Sequence, residues 1–330
     1  DPMKSLFPLF LSLFFISSCK NETKKEISFS DIQSVVGEKI AIHERIYPDF
    51  FHIKSDYLIV SSSKTDTMLY VYSLPQLEFI SSAGRKGRGP NEIPLFPMFC
   101  NSESETSLYI WGYTPSSLKK ISFDEAGKFI YESDIRLNFY DAFNNMYLED
   151  DLSLIYYSPT ELVIKKYSVK DRKITDEIIF KSDKTLGSYN PEIGVADIGP
   201  SHIVYAFEFK KQINIYDKRN FELLTVLTDN ESYDPPAPSE PQGIVRQYYN
   251  IIAGDKRFYA LSPSKRKDED SEGKTLMEVF DYKGNPVGKY EFDTFLNPCI
   301  IDEKRGYVYG YSSVYPDSFL KYKLGFAKVS

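Results

Sequence analysis

The sequence predicts an all-β protein, a six-bladed β-propeller with four-stranded blades closed by an N-terminal strand. Three observations lead there. Beyond residue 45 the chain repeats in modules of about 40–50 residues, each holding several short strand patterns, as radially repeated sheets do. Aromatic residues make up 15% of the chain, with 26 Tyr and 24 Phe, a composition that suits many half-buried strands. No long amphipathic helix pattern interrupts the modules.

The elements follow in order. In each module a strand, a turn and a second strand ending in a turn residue are followed by a third strand. The first module runs Tyr57–Val60, Met68–Tyr72 and Leu77–Ile80; the second Ser107–Trp111, Leu118–Phe123 and Lys128–Tyr131. The third has Leu152–Tyr156, Leu162–Tyr167 and Ile174–Phe180; the fourth His202–Phe207, Ile213–Asp217 and Leu223–Leu227. The fifth has Arg257–Leu261, Leu276–Asp281 and Val287–Phe292, and the sixth Arg305–Tyr311 and Phe319–Tyr322. One more apolar stretch precedes each trio, such as Met98–Cys100 or Asn297–Ile301, which makes four strands per module. The sixth module is one strand short. A segment within Val35–Ile42 can supply it, closing the ring and hiding sheet edges that would otherwise invite aggregation. Two β-sandwiches would need a linker in mid-chain, and none is visible, so residues 31–330 read as one domain.

The first nineteen residues have another character. Lys4 precedes an apolar run from Leu6 to Ile16, followed by Ser17, Ser18 and Cys19. A basic start, a short apolar segment and small residues describe a secretory signal. The run is shorter than the roughly 20 residues needed to cross a bilayer. The small-small-Cys ending resembles the lipobox of bacterial lipoproteins. That resemblance implies cleavage before Cys19, lipidation of its thiol, and attachment to a membrane through more than one acyl chain, since a single chain holds only marginally. Residues 20–30, which include the charged stretch Lys20–Glu26, read as a flexible tether.

Net charge is −7, which leaves no electrostatic footprint for nucleic acid. Cys100 and Cys299 could form one disulfide in an exported chain. Both lie in apolar, strand-like stretches, where free cysteines pack as small hydrophobes, and two buried thiols are the expectation.

Two motifs carry a family resemblance. Gly84-Arg85-Lys86-Gly87-Arg88-Gly89-Pro90-Asn91-Glu92 looks like the G-x-x-G-x-G-P-x-E turn of NHL and TolB-like six-bladed propellers. The run from Tyr249 to Leu261, leading to Val279–Val287 and then Ile301-Asp302-Glu303, resembles the C-terminal half of the TolB-like propeller lipoproteins of Bacteroidetes. The lipobox fits the same family. The resemblance implies a cell-envelope, outer-membrane lipoprotein on the periplasmic or surface face. It implies no particular activity, and Ser262-Pro263-Ser264 stands where that family commonly has Tyr-Ser-Gly.

Chemistry is less legible. The glycine-rich turn reads first as an inter-blade connection, its glycines permitting φ > 0. The functional alternative makes Arg85, Lys86 and Arg88 a cationic lip. It is not a phosphate loop, which needs Gly-Lys-Ser/Thr before a helix. His43, His52 and His202 show no paired ligand spacing for zinc, and no G-x-S-x-G elbow occurs. A lactonase-type axial metal would draw on scattered residues such as Glu92, Asp141, Asn144, Asp197 and Asn250. No metal site and no cofactor are expected. Lys265–Lys274 reads as a solvated hairpin tip, and the proline-rich Tyr233–Gln242 as an extended crossing. Asp66-Thr67-Met68 matches a short O-glycosylation pattern of Bacteroidetes. The expected ligand face joins Arg88, Glu92, Arg246, Tyr248 and Tyr249, because turns entering the innermost strands converge, and Arg and Tyr dominate binding hot spots. The expected function is a membrane-anchored binding scaffold for a protein, peptide or glycan ligand, with a metal-dependent hydrolase or lactonase as the alternative.

Overall fold

A computed structural model describes residues 23–87, 89, 92–93, 96–104, 106–112, 116–124, 127–139, 144–180, 190–229, 246–264 and 273–325. All regular structure among them is β. Three short strands come first: β1 (Thr23–Glu26), β2 (Gln33–Val35) and β3 (Glu38–Ala41). The first repeat holds β4 (Phe50–Lys54), β5 (Tyr57–Ser61), β6 (Thr67–Ser73) and β7 (Phe79–Lys86), with β8 (Glu92–Ile93) added on its edge. The second holds β9 (Met98–Ser102), β10 (Leu108–Gly112), β11 (Ser117–Phe123) and β12 (Phe129–Arg136); the third β13 (Asn144–Leu148), β14 (Ser153–Ser158), β15 (Val163–Ser168) and β16 (Lys173–Ile179). The fourth holds β17 (Gly194–Ile198), β18 (His202–Phe207), β19 (Gln212–Asp217) and β20 (Leu223–Thr228). The fifth holds β21 (Asn250–Ala253), β22 (Arg257–Pro263), β23 (Thr275–Asp281) and β24 (Pro286–Phe292), and the last β25 (Cys299–Asp302), β26 (Tyr307–Tyr311) and β27 (Ser318–Lys323).

Each repeat is an antiparallel meander, and the first strands of the second and third repeats also pair with each other, β9 parallel to β13. The short sixth sheet is completed by β3, antiparallel to β27 with Ala41 opposite Ser318. This strand lies inside the segment the sequence offered for it.

The repeats share local chemistry. In the first five, the register slips by one residue between the third and fourth strands, at Val71/Tyr72, Lys120/Ile121, Lys166/Tyr167, Ile215/Tyr216 and Val279/Phe280. Such bulges increase strand twist. In several repeats a polar residue ends the third strand and caps the turn beyond it. Asp217 accepts the Arg219 backbone N–H at 2.8 Å, Asp281 that of Asn285 at 2.8 Å, and Ser168 that of Asp171 at 3.1 Å. The same turns place Leu77, Gly127, Arg172, Phe221 and Gly284 at positive φ. Only two of these five are glycine, so the cap and the bulge hold the turn where the residue type does not favour it.

Apolar side chains lie between sheets. Separate clusters join the first repeat to the second through Ile59, Leu69, Leu108 and Ile110, and likewise each later neighbouring pair. A further cluster brings Tyr309 and Phe319 of the last repeat against Phe51, Leu58 and Tyr72 of the first. The Tyr72 and Phe319 rings meet edge-on at 4.9 Å.

The structure corrects the tether. Within the stretch read as flexible, β1 pairs in parallel with β20 and Ile27 N–H donates to Thr228 C=O at 3.0 Å. Phe29 packs on Phe280 with ring centroids 5.2 Å apart. The edge of β20 offers unpaired backbone groups, and Ile27 and Phe29 gain an apolar seat. These gains outweigh the polarity of the neighbouring residues. With β2 parallel to β24, the N-terminal segment straps the outer edges of the fourth, fifth and sixth sheets.

Cys100 and Cys299 are free and buried, as expected. The signal segment with Cys19, all of Tyr233–Gln242 and most of Lys265–Lys274 lie outside the described residues.

Candidate functional site

The first strand of each repeat reaches a common cavity of about 530 Å³. β4, β9, β13, β17, β21 and β25 all contribute to its wall, as do the residues that lead into β4, β21 and β25. Its lining mixes rings (Phe50, Phe99, Tyr249, Phe295) with amides and charges (Asp49, Asn101, Asn145, Asp197, Arg246, Asn250).

Several of these polar groups serve the backbone. Asp197 accepts the Ile198 N–H at 2.9 Å with one carboxylate oxygen and the Ala253 N–H at 2.8 Å with the other, linking β17 to β21. Asn145 donates its amide to the Ala196 carbonyl, linking β13 to β17. Asn250 accepts from the Ile251 N–H at 2.9 Å. First strands that do not pair directly are thus pinned to one another by side chains, which satisfies backbone groups that would otherwise stand bare. Burial raises the Asp197 carboxyl to about 7 despite its two N–H donors. Burial, helped by the nearby Lys54 charge, pushes the His52 imidazole down to about 3, so it stands neutral against the Phe99 ring at 5.3 Å.

Of the residues expected at a ligand face, the structure brings Arg246 and Tyr249 together on the cavity wall. Arg246 is held through Nε by Glu208 Oε1 at 2.7 Å and remains 47% exposed. The Tyr249 hydroxyl sits 2.8 Å from Thr275 Oγ1 and donates to the Leu296 carbonyl at 3.0 Å, while its ring lies 4.9 Å from that of Phe295. Burial raises its hydroxyl well above the ordinary tyrosine range.

Tyr248 is placed elsewhere. It is fully buried, and its hydroxyl donates to Glu278 Oε2 at 3.0 Å. Glu278 is itself buried and ion-paired to Lys211 at 2.7 Å and Lys289 at 3.0 Å. Tyr248 therefore belongs to a polar knot between the fourth and fifth sheets. Both tyrosines precede β21, and the chain entering it sends Tyr248 toward Glu278 and Tyr249 toward Thr275.

Glu92 does not line the cavity; it accepts the Gly89 N–H at 2.8 Å and caps its own turn. Of Gly84, Gly87 and Gly89, only Gly84 takes positive φ, at +78°, and a Cβ on Gly87 would meet the carboxylate end of the Glu92 side chain. Arg88 and Asp141 lie outside the described residues, as does the Asn144 side chain. Among the described residues no three His, Cys, Asp or Glu side chains gather where they could hold a metal ion.

The sequence reading missed His52, Asn101 and Asn145 on the wall. A signal existed: Asn101, Asn145, Asp197 and Asn250 each interrupt or open the first apolar stretch of a module.

No family model matches the chain, and no curated protein matches it. Solved structures do. An exported protein from Bacteroides fragilis superposes with a TM-score of 0.58 at 12% identity, covering 91% of this chain and 98% of its own. A member of the DUF4221 family from Bacteroides vulgatus gives 0.56 at 12% identity, covering 88% and 99%. The WD40 repeats of RRP9 give 0.51 at 8% identity, covering 87% and 100%. At such identities the likeness concerns the fold, a propeller-like all-β architecture.

Proposed function

We propose that the chain is an exported, membrane-anchored lipoprotein of the cell envelope whose sheets close a six-bladed propeller and serve as a binding scaffold. Its ligand is a protein, peptide or glycan that engages the end of the cavity where Arg246 and Tyr249 meet. Closure is supported by β3, which completes the sixth sheet, and by the apolar cluster between the last and first repeats. Export and a place at the outer membrane are supported by the signal-like start, by the lipobox-like ending at Cys19, and by likeness to an exported Bacteroides protein. The TolB-like lipoprotein family remains the kinship that the motifs suggest.

The observation that carries the binding reading is the cavity itself. It is walled by all six repeats, lies within the usual volume range of ligand sites, and keeps an exposed guanidinium beside aromatic rings. The hydrolase alternative needs free carboxylates or amides around an ion. Asp197, Asn145 and Asn250 instead bond backbone groups, which favours binding.

The test is affinity capture of a partner from the protein's own envelope, followed by titration. Arg246→Ala should weaken the captured complex at least about fivefold, the equivalent of about 1 kcal/mol, with Tm unchanged. Tyr248→Phe should leave affinity alone. Equal affinity of Arg246→Ala and the parent sinks the reading. Anchoring is checked separately, since Cys19→Ala should move the protein from the membrane pellet to the soluble fraction.

A further inference from the structure

The strap sets where the chain enters the fold. β1 runs parallel to β20, with Thr23 opposite Thr225 and Glu26 opposite Thr228. β20 itself starts from the 218–222 turn and runs toward the connection that brings Arg246 into β21. Thr23 therefore lies toward the 218–222 end of the sheet, opposite the end where Arg246 meets the cavity. From Cys19 to Thr23 is only four residues, at most about 14 Å of chain. That is less than the length of one six-residue strand, about 20 Å. Such a leash would have to double back over its whole length to bring the Arg246 end onto a membrane.

A second observation concerns the same end. Phe79, Ile130, Ile174, Leu224 and Val287 are all exposed, between 36% and 47%. Each is the first or second residue of the fourth strand of its repeat, at the end where Thr23 lies. Exposed apolar side chains thus recur at one strand position in five repeats, all toward the same end. The Arg246 end exposes apolar residues too, among them Tyr47, Phe50, Phe96 and Ile179, and Phe50 lines the cavity. A membrane there would cover Arg246, which is 47% exposed.

We propose that the protein sits on its bilayer through the end carrying the 218–222 and 282–285 turns and these apolar residues, with the Arg246 end of the cavity turned away from the lipid. The inference rests on the anchoring at Cys19 proposed above. What covers these residues is the lipid interface, since the leash delivers the acyl chains to that end. The Arg246 end is left open to a partner arriving from the aqueous side.

The test uses the chain from Cys19 onward, joined through its Cys19 thiol to a maleimide lipid in phosphatidylcholine vesicles. Cys100 and Cys299 are buried and do not compete. Surface lysines are acylated briefly and read by mass spectrometry, with the unanchored chain as reference. Lys24 and Lys283 should lose reactivity severalfold, while Lys64 and Lys274, exposed at the Arg246 end, should keep theirs. Protection at Lys64 and Lys274, or uniform reactivity at all four, would overturn the orientation. Natural lipidation is read independently from the mass of the Cys19 peptide from native membranes. A bare thiol there defeats the anchoring reading and leaves the footprint result to stand or fall by itself.

Discussion

Removing β3 is the sharpest probe of how the first and last repeats depend on the N-terminal segment. Two truncations isolate it. One begins at Glu38 and lacks β1 and β2; the other begins at Ile42 and lacks β3 as well. The second loses four register pairs with β27, from Glu38–Lys321 to Ala41–Ser318. At about 1 kcal/mol net for each ladder hydrogen bond, less the entropy of ordering four residues, this contributes a few kcal/mol. It also uncovers Phe319 and Leu320, now about 1% exposed, and removes Ile40 from the cluster that holds Phe319. Burying one such side chain is worth about 1.5–3 kcal/mol. The Lys321–Glu38 pair, with Glu38 62% exposed, adds little. A total of about 4 kcal/mol should lower Tm by about 6 °C for a domain of this size. Thermal unfolding followed by far-UV circular dichroism and by fluorescence of the single tryptophan, Trp111, reads the difference. If the two truncated proteins melt together, β3 contributes nothing and the closure argument fails.

Other consequences are more local. Glu278→Gln should cost about 3 kcal/mol in urea unfolding, because two lysines lose their buried counter-charge; a cost within 0.5 kcal/mol, typical of neutral surface changes, would contradict it. Burial pushes the Glu278 carboxyl up, but Lys211 and Lys289 outweigh it and hold it below the ordinary range. Its stabilisation is therefore present above the unfolded carboxyl pKa and fades as pH falls through the lower folded value. The His52 imidazole is neutral in the fold down to about pH 3, whereas it protonates near 6.5 once unfolded. Stability is thus lost as pH falls from about 6.5 toward 3. His52→Phe should lose less between pH 7 and 4.5 than the parent, and matched losses in Tm would refute this. In Gly194→Ala the new Cβ would stand 2.5 Å from the Ala206 carbonyl oxygen and 2.6 Å from the Tyr205 ring. Neither can withdraw freely inside a packed strand pair, so a loss of about 1–3 kcal/mol is expected in the same unfolding assay.

What was legible in the sequence is local and repetitive. Strands announce themselves through alternation and through Tyr, Phe, Val and Ile runs, as at Leu58–Val60 or Phe258–Leu261. Turns announce themselves through the Asp or Ser that caps them. Repetition makes each such signal count several times, which is why the module period and the missing sixth strand could be read at all. The strap was not legible in this way. Thr23–Glu26 is polar and becomes a strand only because the edge of β20 offers backbone partners, and no local pattern encodes a partner some 200 residues away in sequence.

The site was legible only in part, for the same reason. The sequence by itself determined that Arg246 and two tyrosines enter a first strand near a convergent end. Only the tertiary structure decided that Tyr249 faces the cavity while Tyr248 turns to Glu278, and that Glu92 caps a turn instead of meeting a ligand. It alone decided that Asn145, Asp197 and Asn250 hold backbone groups. Strand periodicity names which residues share a face. Which face meets the cavity, and which polar group finds a partner, follows from the packing of separate sheets. That packing is fixed by contacts between residues far apart in the chain, such as Tyr72 with Phe319.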